Sequence, residues 1–392
     1  MAGSRVVVAS DKFKGSLTSN QVAVAVREGV RRLCPDATVD AVPVADGGDG
    51  TLAAAVAAGF QFVPVTASGP TGEPTRTGFA RRRGGGGGDV AVVELADVSG
   101  LVRLPGGRPA PMTATSRGTG ELIAAAIDSG CTRIILGIGG SACTDGGAGL
   151  VRALGAKLYD ANGADLAEGG AALSALASVD LTALTERLAG VEVVVACDVD
   201  NPLTGPSGAA ATYGPQKGAD PAQVKQLDAA LAQWADLVAR ETGRDLRDAP
   251  GAGAAGGVGF AAVALLGAEL RPGIGLMLDL VGFHQHLDGA DLVITGEGAL
   301  DEQTLHGKAV AGVAAAAGVA GIPVVAVCGT NRLNPDRLRQ AGITAAYALT
   351  DLEPDVRRCI AEPIPLLRQL GERIAADHLL RSTMTATERG FA

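Results

Sequence analysis

Four short stretches of this 392-residue chain combine glycine with residues able to do chemistry, and a fifth carries acids alone. In Asp46-Gly-Gly-Asp-Gly-Thr51, two carboxylates stand three positions apart at the end of an apolar run. Such a pair can hold Mg²⁺ or accept a proton. The glycines let backbone N–H groups face an anion at a helix start. The same residues would equally make a tight turn capped by Asp49. Gly137-Ile-Gly-Gly-Ser-Ala-Cys-Thr-Asp-Gly-Gly147 repeats the construction with Ser141, Thr144 and Asp145. It reads as a phosphate cradle or as a packed β-α turn with Asp145 capping. Thr295-Gly-Glu-Gly-Ala-Leu-Asp-Glu-Gln-Thr304 carries Glu297 and Asp301, and Lys308 follows. Asp198 ends the apolar run before Asn201. Asp11-Lys-Phe-Lys-Gly-Ser16 adds two cations, Lys12 and Lys14, suited to a phosphate or carboxylate.

These loops need strands and helices to present them. Arg5 to Ala9 reads as a strand, and Thr18-Ser-Asn-Gln21 as a capping box opening an amphipathic helix over 19–33. Val39 to Val44 is a second strand, and a small-residue helix then ends near Gly59. The C-terminal part repeats this grammar: a strand at Asp291–Thr295, a helix from Gly307, a strand at Pro323–Cys328, another near 343–349 and a helix at 363–376. Alternating strands and helices predict a parallel sheet covered on both faces. The middle differs. Residues 66–90 read as short strands and turns, with Gly84–Gly88 as a hairpin tip. Helices are expected near 119–129, 145–155 and 223–241, and strands at 133–138 and 191–196. The fold class is therefore α/β in two domains. A discontinuous Rossmann-like outer domain takes 1–66 plus 282–392, and an inserted α/β domain with a mixed sheet takes 67–281.

Composition excludes several classes. Aromatics are 3% and the net charge is −9, which argues against a nucleic-acid partner despite Arg81–Arg83. Six cysteines without a CxxC read as free thiols in a reducing compartment. His284 and His286 could share a strand face, but no third ligand stands nearby for zinc. The stretch 309–330 is uncharged, yet Pro323 divides it into a buried helix and a strand. With no signal-peptide pattern at the start, the expectation is a soluble, cytoplasmic protein without membrane partners.

Common nucleotide motifs fail. Gly251–Gly256 fits GxGxxG formally but follows no strand and is read as chance, and no P-loop or G-x-S-x-G elbow occurs.

Taken together, the glycine loops closely resemble the type-1 glycerate kinase family. The matching stretches are Ser10–Leu17, Val44–Thr51, Ser116–Leu122, Gly137–Gly149, Asn201–Gly205, Tyr213–Ala219 and Thr295–Lys308. The resemblance implies two α/β domains with the site in the cleft between them, and ATP-dependent phosphorylation of D-glycerate. The candidate catalytic residues are Asp46, Asp198 and Lys14. Asp198 or Asp46 would take the hydroxyl proton, and Lys14 would hold the substrate carboxylate or the γ-phosphate. Asp11, Lys12, Ser16, Asp49 and Asn201 are candidates for the small-molecule substrate. Gly139, Gly140, Ser141, Thr144, Asp145, Thr295, Gly296, Glu297, Gln303 and Lys308 are candidates for ATP, and Asp49 and Asp301 for Mg²⁺. The chain departs from the family's commoner residues at Ser10, Asp49, Cys143-Thr144 and Ala299. The rival expectations are a kinase for another small hydroxy acid and a non-catalytic nucleotide or sugar-acid binder.

Overall fold

The computed structural model describes residues 3–84, 88–305 and 308–380. In chain order the strands are β1 (Arg5–Ser10), β2 (Thr38–Ala41), β3 (Gln61–Ser68), β4 (Pro74–Arg82), β5 (Asp89–Glu94), β6 (Cys131–Gly137), β7 (Lys157–Asp160), β8 (Leu176–Asp180), β9 (Glu192–Ala196), β10 (Glu269–Arg271), β11 (Leu292–Leu300), β12 (Val324–Asn331) and β13 (Ala345–Ala348). Two units emerge. The first comprises Met1–Asp46, Ala53–Ala58 and Ile274–Ala392, the second Gly47–Leu52 and Gly59–Gly273.

The first unit is built on a five-stranded parallel sheet, order β13-β12-β11-β1-β2. Near-continuous apolar strands suit a sheet buried on both faces. The Ser19–Leu33 helix links β1 to β2, and its capping box is formed: Gln21 N donates to Thr18 Oγ1 at 3.3 Å, and Thr18 N to Gln21 Oε1 at 2.9 Å. Val22, Val26 and Val30 share a core with Val8 and Ile294 of the sheet and with Leu367 and Leu370 of the Pro363–Ile374 helix. On β11 and β12 packs the Ala309–Val319 helix, whose Val310, Val313 and Ala317 are buried. That helix begins two residues later than its glycine predicts, and Gly307 lies outside the described residues. His284 and His286 occupy a short helix, Phe283–His286, and not a strand; His286 Nδ1 lies 3.4 Å from Asp40 Oδ2. Among the described residues, no helix is long and apolar enough to cross a membrane.

The second unit holds a mixed six-stranded sheet, order β10-β9-β6-β5-β4-β3. β10, β9, β6 and β5 run parallel, while β4 pairs antiparallel with β3 and β5. β4 and β5 are the arms of the hairpin expected around Gly84–Gly88, of which 85–87 lie outside the described residues. The Arg117–Asp128 and Pro221–Thr242 helices cover the core, where Leu122, Ile123, Leu231 and Trp234 are buried. The α/β class with parallel and mixed sheets is thus what the chain adopts.

Candidate active site

In the first unit, Asp11 follows the carboxyl end of β1. The register pairs Ser10 with Gly296, so Asp11 stands beside Glu297, which lies within β11 and not in a loop after Thr295 as the sequence suggests. Ligands of open parallel sheets bind at such ends. Ser10 is fully buried, and its Oγ donates to Gly296 O at 3.0 Å, which ties the end of β1 to β11. Burial pushes the Asp11 carboxyl up to about 7; the charges of Asp46 and Glu297 add, while the Lys12 N–H and ammonium oppose. Burial likewise raises Glu297, with Thr304 and Lys308 opposing and Asp301 and Asp46 adding. Three carboxylates therefore feel one another here: Asp11, Asp46 and Glu297. Thr295 is fully buried, and its Oγ1 and Glu297 Oε1 are shielded polar atoms without a hydrogen-bond partner. Such atoms are costly unless something else engages them.

Around this cluster, Phe13 is buried and its N–H donates to Leu17 O at 2.9 Å, which makes a tight turn with exposed Lys14 at its tip. Ser16 Oγ donates to the Ile360 carbonyl at 3.1 Å and so fastens that turn to its own unit. Asp301 Oδ1 accepts from Gln303 N at 2.9 Å and Thr304 N at 3.3 Å; Gln303 is exposed. Lys308 is the N-cap residue of the Ala309–Val319 helix, with no side-chain cap of its own.

In the second unit the Gly47–Leu52 loop lies against other strand ends. A Cβ on Gly47 would stand 2.4 Å from Ala196 Cβ, and one on Gly139 2.7 Å from Gly48 Cα. Gly47 meets a side-chain Cβ and Gly139 meets backbone, so each position leaves room only for glycine. Asp49 is exposed on this loop. Asp198, also exposed, follows β9, and its Oδ1 accepts from Gly273 N at 2.8 Å.

The 137–147 loop presents only Gly139 and Gly140 toward the surface, for residues 141–150 are all buried. The Asp145 carboxylate accepts from Ser116 N and Oγ, both at 2.8 Å, from Gly147 N at 3.1 Å and from Gly149 N at 3.2 Å. Burial raises this carboxyl, and those same donors oppose the shift. Ser141 Oγ and the Cys143 carbonyl accept from Lys217, while the buried Thr144 Oγ1 has no partner. Asn201 is also engaged internally: Nδ2 donates to Ser207 O at 2.9 Å, and Tyr213 OH donates to Oδ1 at 2.6 Å.

Two residues of weight were not singled out from sequence. Glu94, at the end of apolar β5, carries the same signal as Asp198, an acid after a buried strand; β2, expected over 39–44, ends at Ala41, short of Asp46. Lys217 is 2% exposed, and nothing local distinguishes it from a surface lysine.

The model of the glycerate kinase family matches residues 6–379. A glycerate kinase of Bacillus subtilis (strain 168) is 42% identical over 381 residues, covering 97% of this chain and 99% of its own. A glycerate 2-kinase of Escherichia coli (strain K12) is 44% identical over 348 residues, covering 88% and 90%. A crystal structure from Salmonella typhimurium LT2, assigned as glycerate kinase 2, is similar with TM-score 0.83 and 41% identity over 99% of this chain and 100% of that one. The chain belongs to the glycerate kinase family.

Proposed function

We propose that the chain transfers the γ-phosphoryl group of ATP to a hydroxyl of D-glycerate, the 2-hydroxyl in preference to the 3-hydroxyl, and releases ADP. Family membership supports the reaction, and the Escherichia coli relative's description as a glycerate 2-kinase supports the position. The observation that carries the reading at residue level is Asp11, just past β1, beside Glu297 of β11, within reach of the Asp46 charge. A lysine-flanked acid cluster suits a molecule that has both hydroxyls and a carboxylate.

In-line phosphoryl transfer asks for positioning and charge neutralisation more than covalent chemistry. Lys14 holds the glycerate carboxylate or the γ-phosphate, and Lys12 adds positive charge. Asp46 or Asp198 accepts the hydroxyl proton. Asp11, with its carboxyl near 7, hydrogen-bonds a substrate hydroxyl as donor or acceptor. Lys308 and the first amides of the Ala309–Val319 helix face phosphate, as do the backbone groups of Gly139 and Gly140. Among the described residues, no three His, Cys, Asp or Glu side chains form a ready cation site. Mg²⁺ is commonly held by one or two carboxylates together with substrate phosphates. Asp49 or Asp301 would be such a carboxylate, and the ion would supply charge neutralisation. A cytoplasmic location belongs to this reading, since the six cysteines are all free.

The test is ADP release from Mg-ATP over a panel of small hydroxy acids. D-glycerate should give the highest kcat/KM. A higher value for another acid would replace the substrate, and no acid-dependent release would remove the kinase reading.

A further inference from the structure

Glu94 is the last residue of β5 and is 4% exposed. Its two carboxylate oxygens are used separately. Oε1 accepts from Gly50 N at 3.1 Å, and Oε2 from Leu52 N at 2.8 Å. These amides belong to the loop that carries Asp49. The rest of the loop has no slack. Thr51 Oγ1 donates to Gly48 O at 2.6 Å, and a Cβ on Gly137, Glu94's register partner on β6, would stand 2.6 Å from Gly47 O. Burying a carboxylate is expensive, and an apolar side chain would stabilise a strand end more cheaply. Burial favours the protonated form and the two amides oppose it; the ionised form supplies two acceptors at a fixed separation.

We propose that Glu94 is a positioning residue for phosphoryl transfer, and that its grip on the Gly50 and Leu52 amides sets where Asp49 stands when ligands bind. The inference rests on the reading that Asp49 acts in the ligand site. Glutamine cannot substitute, since its single carbonyl oxygen serves one amide and its NH₂ group opposes the other. Aspartate keeps both oxygens on a shorter arm. Displacing a reacting group by about 1 Å can reduce rates roughly 10²-fold.

The experiment uses the full chain as wild type, Glu94→Gln, Glu94→Asp and Asp49→Asn. It measures kcat and KM for D-glycerate and ATP, the melting temperature, and hydrogen exchange at the Gly50 and Leu52 amides. Glu94→Gln should exchange faster at both amides and lose about 10- to 100-fold in kcat/KM at temperatures well below its melting point. Glu94→Asp should recover part of that loss, and it carries the test if the glutamine variant fails to fold. Wild-type kinetics in a Glu94→Gln protein whose two amides exchange faster would overturn the proposal, as would a rate loss that merely tracks melting. Wild-type kinetics in Asp49→Asn would instead overturn the reading of Asp49 on which it rests.

Discussion

Lys217 buries its ammonium against Ser141: Nζ donates to Ser141 Oγ at 2.9 Å and to the Cys143 carbonyl at 2.5 Å. The side chain is 2% exposed, and burial depresses its pKa while Cys143 and Asp145 oppose the shift. One cation thus pins the 137–147 loop from beneath. Lys217→Met keeps the aliphatic stem but strands two buried acceptors. It should reduce unfolding free energy by about 3 kcal/mol. Denaturant unfolding checks this, and a loss below about 1 kcal/mol would show that the loop holds without the clamp.

Asp145 gives a second stability prediction. With Ser116 N and Oγ, Gly147 N and Gly149 N all donating to it, Asp145→Asn turns an NH₂ group toward one set of donors. The variant should lose about 2–4 kcal/mol of stability. A large rise in KM for ATP with an unchanged melting curve would instead return Asp145 to the nucleotide.

The raised carboxyls predict a pH dependence of stability. Asp11 moves from 3.8 to about 7, and Glu94 from 4.5 to about 7, in both cases chiefly through burial. Between those limits the native state keeps a proton that the unfolded chain has released, so stability falls as pH rises. The contribution is full below the unfolded values and is lost by the time pH passes about 7. Asp46, Glu297 and Lys12 face Asp11, and Asp49 and Asp97 face Glu94. Melting temperatures at constant ionic strength should decline from pH 5 to pH 8, and Asp11→Asn should flatten the slope. A rising curve for wild type, or an unchanged slope in the variant, would contradict the assignment.

Much of this was legible because local chemistry coincided with position. Thr18 and Gln21 form the capping box that their spacing announces, and Asp11 and Glu297 both follow apolar runs that pair in register. What escaped depends on distant partners. Asp145 and Asp198 look alike in sequence, each an acid near a strand end. Ser116 encloses the first, whereas the second is exposed. The glycines of 251–257, unremarkable as a nucleotide motif, brace the 137–147 loop: Gly146 N donates to Gly256 O at 3.0 Å, and a Cβ on Gly256 would stand 2.1 Å from Cys143 O. Ala255 beside them takes φ 53°, a conformation costly for a non-glycine residue. His284 and His286 alternate like strand residues, yet Gly282 at φ 67° starts a helical turn there.

The proposed proton acceptors are open to substitution. Asp198→Asn retains the oxygen that accepts from Gly273 N, and Asp46→Asn keeps side-chain shape. Each should fold normally, and the residue that serves as general base should lose roughly 10²–10⁴ in kcat when replaced. Steady-state kinetics beside melting curves check this. Near-wild-type kcat in both variants would place the proton transfer elsewhere.

NMR of the product formed from D-glycerate and Mg-ATP with the purified chain decides whether this protein phosphorylates glycerate. The expected product is a phosphate ester on the 2-hydroxyl, formed in step with ADP and absent without enzyme. ATP consumed with glycerate left unphosphorylated, or no turnover by a folded protein, would contradict it.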